Sequence, residues 1–150
     1  MKTDRLLLVT VLVATWHRVA WAPLGRLTLA DILQVAFVCV LVVMRAARRD
    51  TRVASATLVT LAFGVAFLVV YLAGMVTVNT NTNTVQLVKG LVVWAVHWAF
   101  LVAMVEHLAR RGAALYRQAV WWFAAGFVVN GAYGLVQYAA QTAGGVNLDA

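Results

Sequence analysis

The sequence predicts an all-α, polytopic transmembrane helix bundle, and three observations carry that prediction. First, 64% of the residues are hydrophobic and only 11% are charged, against roughly 45–50% and ~25% in soluble domains. Second, the apolar residues fall into five runs, at about 6–23, 27–44, 53–77, 85–107 and 118–140. Each is close to the ~20 residues that cross ~30 Å of hydrocarbon as a helix. Third, the connectors between these runs hold most of the arginines. Within lipid only helices and closed barrels satisfy their own backbone hydrogen bonds, and no run shows the alternation of barrel strands. Residues 1–150 read as a single bundle, with no soluble domain or long linker.

The first run opens with Lys2 and Arg5 ahead of Leu6–Thr15 and reaches Ala20-Trp21-Ala22, the form of a signal-peptide cleavage site. Pro23 directly after the cut disfavours cleavage, and His17-Arg18 interrupts the approach. The reading is a retained helix with Trp16, Trp21 and a snorkelling Arg18 at headgroup level. Gly25-Arg26-Leu27-Thr28-Leu29-Ala30-Asp31 starts the second span. Thr28 and Asp31 stand at capping-box spacing, and Asp31 favours the positive end of the helix dipole. Its expected charge partner is Arg26. Cys39, the only cysteine, lies inside this run, so no disulfide or CxxC metal site is available.

Arg45, Arg48, Arg49 and Arg52 form the next connector, and Val78–Thr84 joins the third and fourth runs. The Asn79–Thr84 stretch is rich in turn formers and holds no Asn-x-Ser/Thr acceptor. In the fourth run Lys89 sits one turn inside the boundary, where it can snorkel. His97 lies near mid-depth among Trp94, Trp98 and Phe100. Such a residue is either a functional group or a donor to a neighbouring helix worth ~0.6–2 kcal/mol. Glu106 and His107, beside Arg110, read as a solvated end cluster. His97 and His107 are ten residues apart, about 80° off a common face, and His17 lies at the far rim. No metal site and no cofactor is expected.

The fifth run carries Gly126, Asn130, Gly134, Gln137 and Gln141 at i, i+4, i+8, i+11 and i+15, one helical stripe. Small residues admit a close backbone and amides are costly in lipid, so the stripe should face other helices or line a hydrated cavity. Between them, Ala109–Arg117 read as a connector.

Orientation follows from the basic residues. One side holds Lys2, Arg5, Arg45, Arg48, Arg49, Arg52, Arg110, Arg111 and Arg117, and the other holds Arg18, Arg26 and Lys89. Nine against three puts the N-terminus in the cytoplasm and the C-terminus outside. The net charge of +7 thus reflects span flanks and does not imply a nucleic-acid partner. The expected partner is membrane lipid, and the expected location is the plasma membrane.

The stretch from Leu87 to Gln141 has a further pattern. An apolar helix leads to Glu106-His107-Leu108-Ala109-Arg110-Arg111, followed by a helix ending Asn130-Gly131-Ala132-Tyr133-Gly134-Leu135-Val136-Gln137-Tyr138. This resembles the amino-terminal half of the O-antigen ligase and polymerase family of bacterial membrane glycosyltransferases, as does the Gly25–Asp31 entry. The resemblance implies a part in cell-surface polysaccharide or lipopolysaccharide synthesis at the bacterial inner membrane. There the family transfers a glycan from an undecaprenyl diphosphate carrier to an acceptor. It also implies a longer architecture, with the essential arginine and histidine in a later outer loop, so no catalytic residue carries over to this chain. The expectation is an amino-terminal scaffold portion that is inactive alone. The alternatives are a complete non-enzymatic partner subunit or packing module, or a transporter component with His97 and the Asn130–Gln141 stripe lining a polar path.

Overall fold

A computed structural model describes residues 2–15, 28–77 and 84–144, and among these the chain is helical. The helices are α1 (Lys2–Ala14), α2 (Leu29–Arg48), α3 (Ser55–Thr77), α4 (Thr84–Arg111) and α5 (Ala113–Gly144). Four of them, α2 to α5, are long and apolar enough to cross a membrane. Of the first of the five expected spans, the described part is α1, whose 13 residues rise ~20 Å. The remainder of that run, 16–23, lies outside the described residues.

Local signals explain the helix ends. Thr28 and Asp31 form the capping box that their spacing implies: the Asp31 carboxylate accepts from the Thr28 N–H at 3.0 Å, and the Thr28 hydroxyl accepts from the Asp31 N–H at 3.2 Å. Asp31 therefore has its partner in Thr28, whereas Arg26 lies outside the described residues. Helix α2 runs four residues beyond the expected 44. It closes where Arg49 turns left-handed, with Arg49 N–H to the Ala46 carbonyl and Asp50 N–H to the Arg45 carbonyl.

Gly112 does the same between α4 and α5, with φ +84, a conformation that costs glycine nothing. The expected connector at 109–117 is thus corrected to a single residue. Helix α5 starts at Ala113 because Leu115 and Ala119, one turn apart, bury in the core.

Helix α1 packs between α2 and α5, α4 packs on α2, α3 and α5, and α3 rests on α4. The core gathers Leu7, Leu8 and Val11 of α1, Phe37 and Leu41 of α2, Phe100 and Ala103 of α4, and Leu115 and Ala119 of α5. Leu7 is completely buried, so the first helix belongs to the fold. Helix α3 is apolar all round and turns Val59, Phe63 and Val70 outward at about 70% exposure. Trp121, Val128 and Leu135 of α5 are equally open. Exposed apolar surface on this scale suits lipid or another protein, not water.

One close approach holds α3 to α4. A Cβ placed on Gly64 would fall within the Trp98 indole, and Phe67 stacks on Trp94 at 6.2 Å between ring centroids. Gly64→Val should therefore cost about 1–3 kcal/mol through overpacking. Gly131→Val, where the added atoms meet open space, should unfold in detergent at nearly the native midpoint.

Candidate functional site: a buried ionic clasp at the basic end

The antiparallel packing brings five helix ends together. The start of α1, the end of α2, the start of α3, the end of α4 and the start of α5 meet there, as three contacts fix. Thr3 donates to Met44 Sδ at 3.1 Å, His107 Nε2 meets Asp4 Oδ1 at 2.7 Å, and the Ala54 N–H donates to Glu106 Oε2 at 3.0 Å. The nine basic residues grouped by the charge count all lie on these ends or on the connectors between them.

Glu106 is the centre of this end. Its side chain is 2% exposed, which corrects the expectation of a solvated cluster. One oxygen accepts from Thr57 Oγ1 at 2.5 Å and from the Ala54 N–H. The other accepts from Arg110 Nε and lies 3.3 Å from Arg45 Nη1. The physical cause is the start of α3. Ala54 occupies the N-cap position, its carbonyl accepting from Thr57 and Leu58, yet alanine has no side-chain acceptor to offer. A carboxylate from α4 instead accepts from the N-cap N–H itself, as the acid of a capping box does, and sits at the positive end of the α3 dipole.

Arg110 extends the clasp to the α2–α3 connector. It donates to the Asp50 carboxylate and to the Arg52 carbonyl, and Arg45 donates to the same carbonyl. The hydrogen bond from Arg110 holds the Asp50 carboxyl below its ordinary range, supported by the Arg52 N–H. A lowered acid pKa means that this contact is present above the unfolded-chain value and is released as pH falls through the lowered one. On the other flank Asp4 accepts from His107 and lies 3.2 Å from Arg111 Nε. His107 is 5% exposed and meets the edge of Phe37 at 5.7 Å.

The residues singled out from the sequence do not form one site. His97 does not donate to a neighbouring helix. Its Nδ1 contacts the Val93 carbonyl one turn back at 2.7 Å, and because a carbonyl only accepts, Nδ1 carries the proton. Its Nε2 stands 3.7 Å from Asp31 Oδ1, beyond hydrogen-bond range. Arg18 and the Lys89 side chain lie outside the described residues.

The stripe on α5 divides. Gly126 is buried against α1, where an added Cβ would lie 2.9 Å from the Leu12 carbonyl oxygen. Asn130 Nδ2 donates to the Thr15 carbonyl at 3.2 Å, and Gln137 is 9% exposed. Gly134 and Gln141 are exposed, and a Cβ on Gly134 meets nothing within 4 Å.

Two features escaped the sequence reading. Glu106 is a buried hub, and Gln34 Oε1 of α2 is buried with no hydrogen-bond partner among the described residues. Among the described residues no cluster of His, Cys, Asp and Glu could hold a metal ion.

Fold and site together define a helical bundle of the membrane type, with Glu106, Asp50, Arg45 and Arg110 clasped at one end. Comparison with protein-family models, with curated proteins and with solved structures gives no match to this chain.

Proposed function

We propose that the chain is a non-catalytic, multi-pass module of the plasma membrane that works through helix–helix and helix–lipid contact, as a partner subunit or packing unit. The observation that carries this reading is the saturation of Glu106. Arg45, Arg110, Thr57 and the Ala54 N–H occupy its two oxygens. A general acid or base must reach a substrate proton, and here those positions are taken by the chain itself. The outward apolar faces of α3 and α5 support the same reading, since lipid or another transmembrane helix is what they can contact. The nine-to-three charge distribution favours a cytoplasmic basic end, with residue 81 and the C-terminus outside.

The second reading, the amino-terminal part of an O-antigen ligase-like enzyme, rests on the Asn130–Tyr138 and Gly25–Asp31 segments. A scaffold portion of such an enzyme would also be inactive alone, so one assay tests what the two readings share, the absence of chemistry in this chain. The purified chain in lipid nanodiscs is incubated with an undecaprenyl diphosphate-linked glycan and a sugar acceptor. The module reading expects no transfer above the protein-free background. Transfer that His97→Ala abolishes would overturn it and show that this chain carries chemistry.

A further inference from the structure

A cleft of about 450 Å³ runs between α2, α3 and α4. On α4 it is lined by small residues one turn apart, Ala95, Ala99 and Ala103, and by the Trp94 and Trp98 pair, stacked at 5.8 Å. From Trp94 to Glu106 the cleft follows twelve residues of helix, ~18 Å, comparable to one leaflet, ~15 Å of the ~30 Å hydrocarbon. A slot of that volume and length accommodates one extended hydrocarbon chain.

The end of the cleft identifies what the hydrocarbon carries. On α2 the lining stripe Val38, Leu41, Val42 passes at helical spacing to Arg45 and, beyond the cleft, to Arg48, with Arg49 following as the left-handed C-cap. The two carboxylates nearby, Glu106 and Asp50, are already held by Arg110, with Arg45 on Glu106 as well. Arg48, Arg49 and Arg52 are exposed, and among the described residues no carboxylate pairs with them. An apolar slot ending on unneutralised guanidinium groups is complementary to an acyl chain that ends in a phosphate.

We propose that the cleft between α2, α3 and α4 seats one acyl chain of an anionic glycerophospholipid, with its phosphate at Arg48, Arg49 and Arg52. The inference rests on the membrane reading, and its failure is separable from failure of the module reading because lipid retention and glycan transfer are read independently. The test is native mass spectrometry of the purified full chain with added phosphatidylglycerol or phosphatidylcholine of identical acyl chains. The expected result is one retained phosphatidylglycerol per chain, with phosphatidylcholine held at least about tenfold more weakly. Each arginine near an anionic headgroup contributes about fivefold to affinity. The triple variant Arg48→Gln, Arg49→Gln, Arg52→Gln should therefore bring the two lipids to parity. Ala99→Trp places an indole in the cleft that Ala99 lines and should remove the adduct with either lipid. Equal retention by the native chain overturns the proposal, as does a phosphatidylglycerol preference that survives the triple variant. An adduct unchanged in folded Ala99→Trp also overturns it. Should Ala99→Trp fail to fold, the triple variant, confined to exposed residues, decides alone.

Discussion

Glu106→Ala is expected to cost about 3 kcal/mol of bundle stability, the lower end of what breaking a buried ion pair costs. The lower end applies because Arg45 and Arg110 keep 26% and 34% exposure and can turn to solvent. The Thr57 hydroxyl has no such escape, since Thr57 is 2% exposed, and the Ala54 N–H loses the same carboxylate. Both would be left without an acceptor at the start of α3. Glu106→Gln keeps an acceptor there but removes the charge, and should cost about half as much, near 1.5 kcal/mol. Unfolding in detergent gives both values, and limited proteolysis at the α2–α3 connector should detect loosening of α3 first. Equal stability of Glu106→Ala and the native chain would mean that the clasp holds nothing.

The second large effect lies where α1 meets α5. Gly126→Leu must push against the Leu12 carbonyl and Thr15. The first is backbone and cannot rotate away, so a loss of about 3 kcal/mol, the upper part of the overpacking range, is expected. Asn130→Leu removes one interhelical hydrogen bond and should cost about 1 kcal/mol. Gly134→Leu, which meets open space, should behave like Val128→Leu, a substitution on an exposed face. The sequence placed Gly126 and Gly134 on one stripe, and the structure separates them by what lies opposite. If Gly134→Leu proves as damaging as Gly126→Leu, a second protein surface covers the outer part of α5.

How much was legible depends on how local the cause is. The α2 capping box could be read because Thr28 and Asp31 are three residues apart and satisfy one another. The early start of α5 was missed because Arg110, Arg111, Gly112 and Arg117 resemble a connector. Leu115 and Ala119, one turn apart and both buried, were the available signal. Glu106 was not legible as a hub, since Thr57 and Ala54 lie 49 and 52 residues away and no spacing announces such contacts. Hydropathy located α3 but not its packing face, because a helix that is apolar all round carries no amphipathic direction. Gly64 becomes informative only once Trp98 is seen against it.

The most direct measurement is cysteine accessibility in whole cells, after replacing Cys39 with alanine. Single cysteines at Arg48, Gly112 and Asn81 report the two basic connectors and the α3–α4 connector. A membrane-impermeant maleimide should label position 81 and leave 48 and 112 unlabelled until the membrane is permeabilised. Labelling at 48 and 112 but not at 81 would invert the orientation. Labelling of all three in intact cells would contradict a bundle that spans the membrane with its charged clasp on the cytoplasmic side.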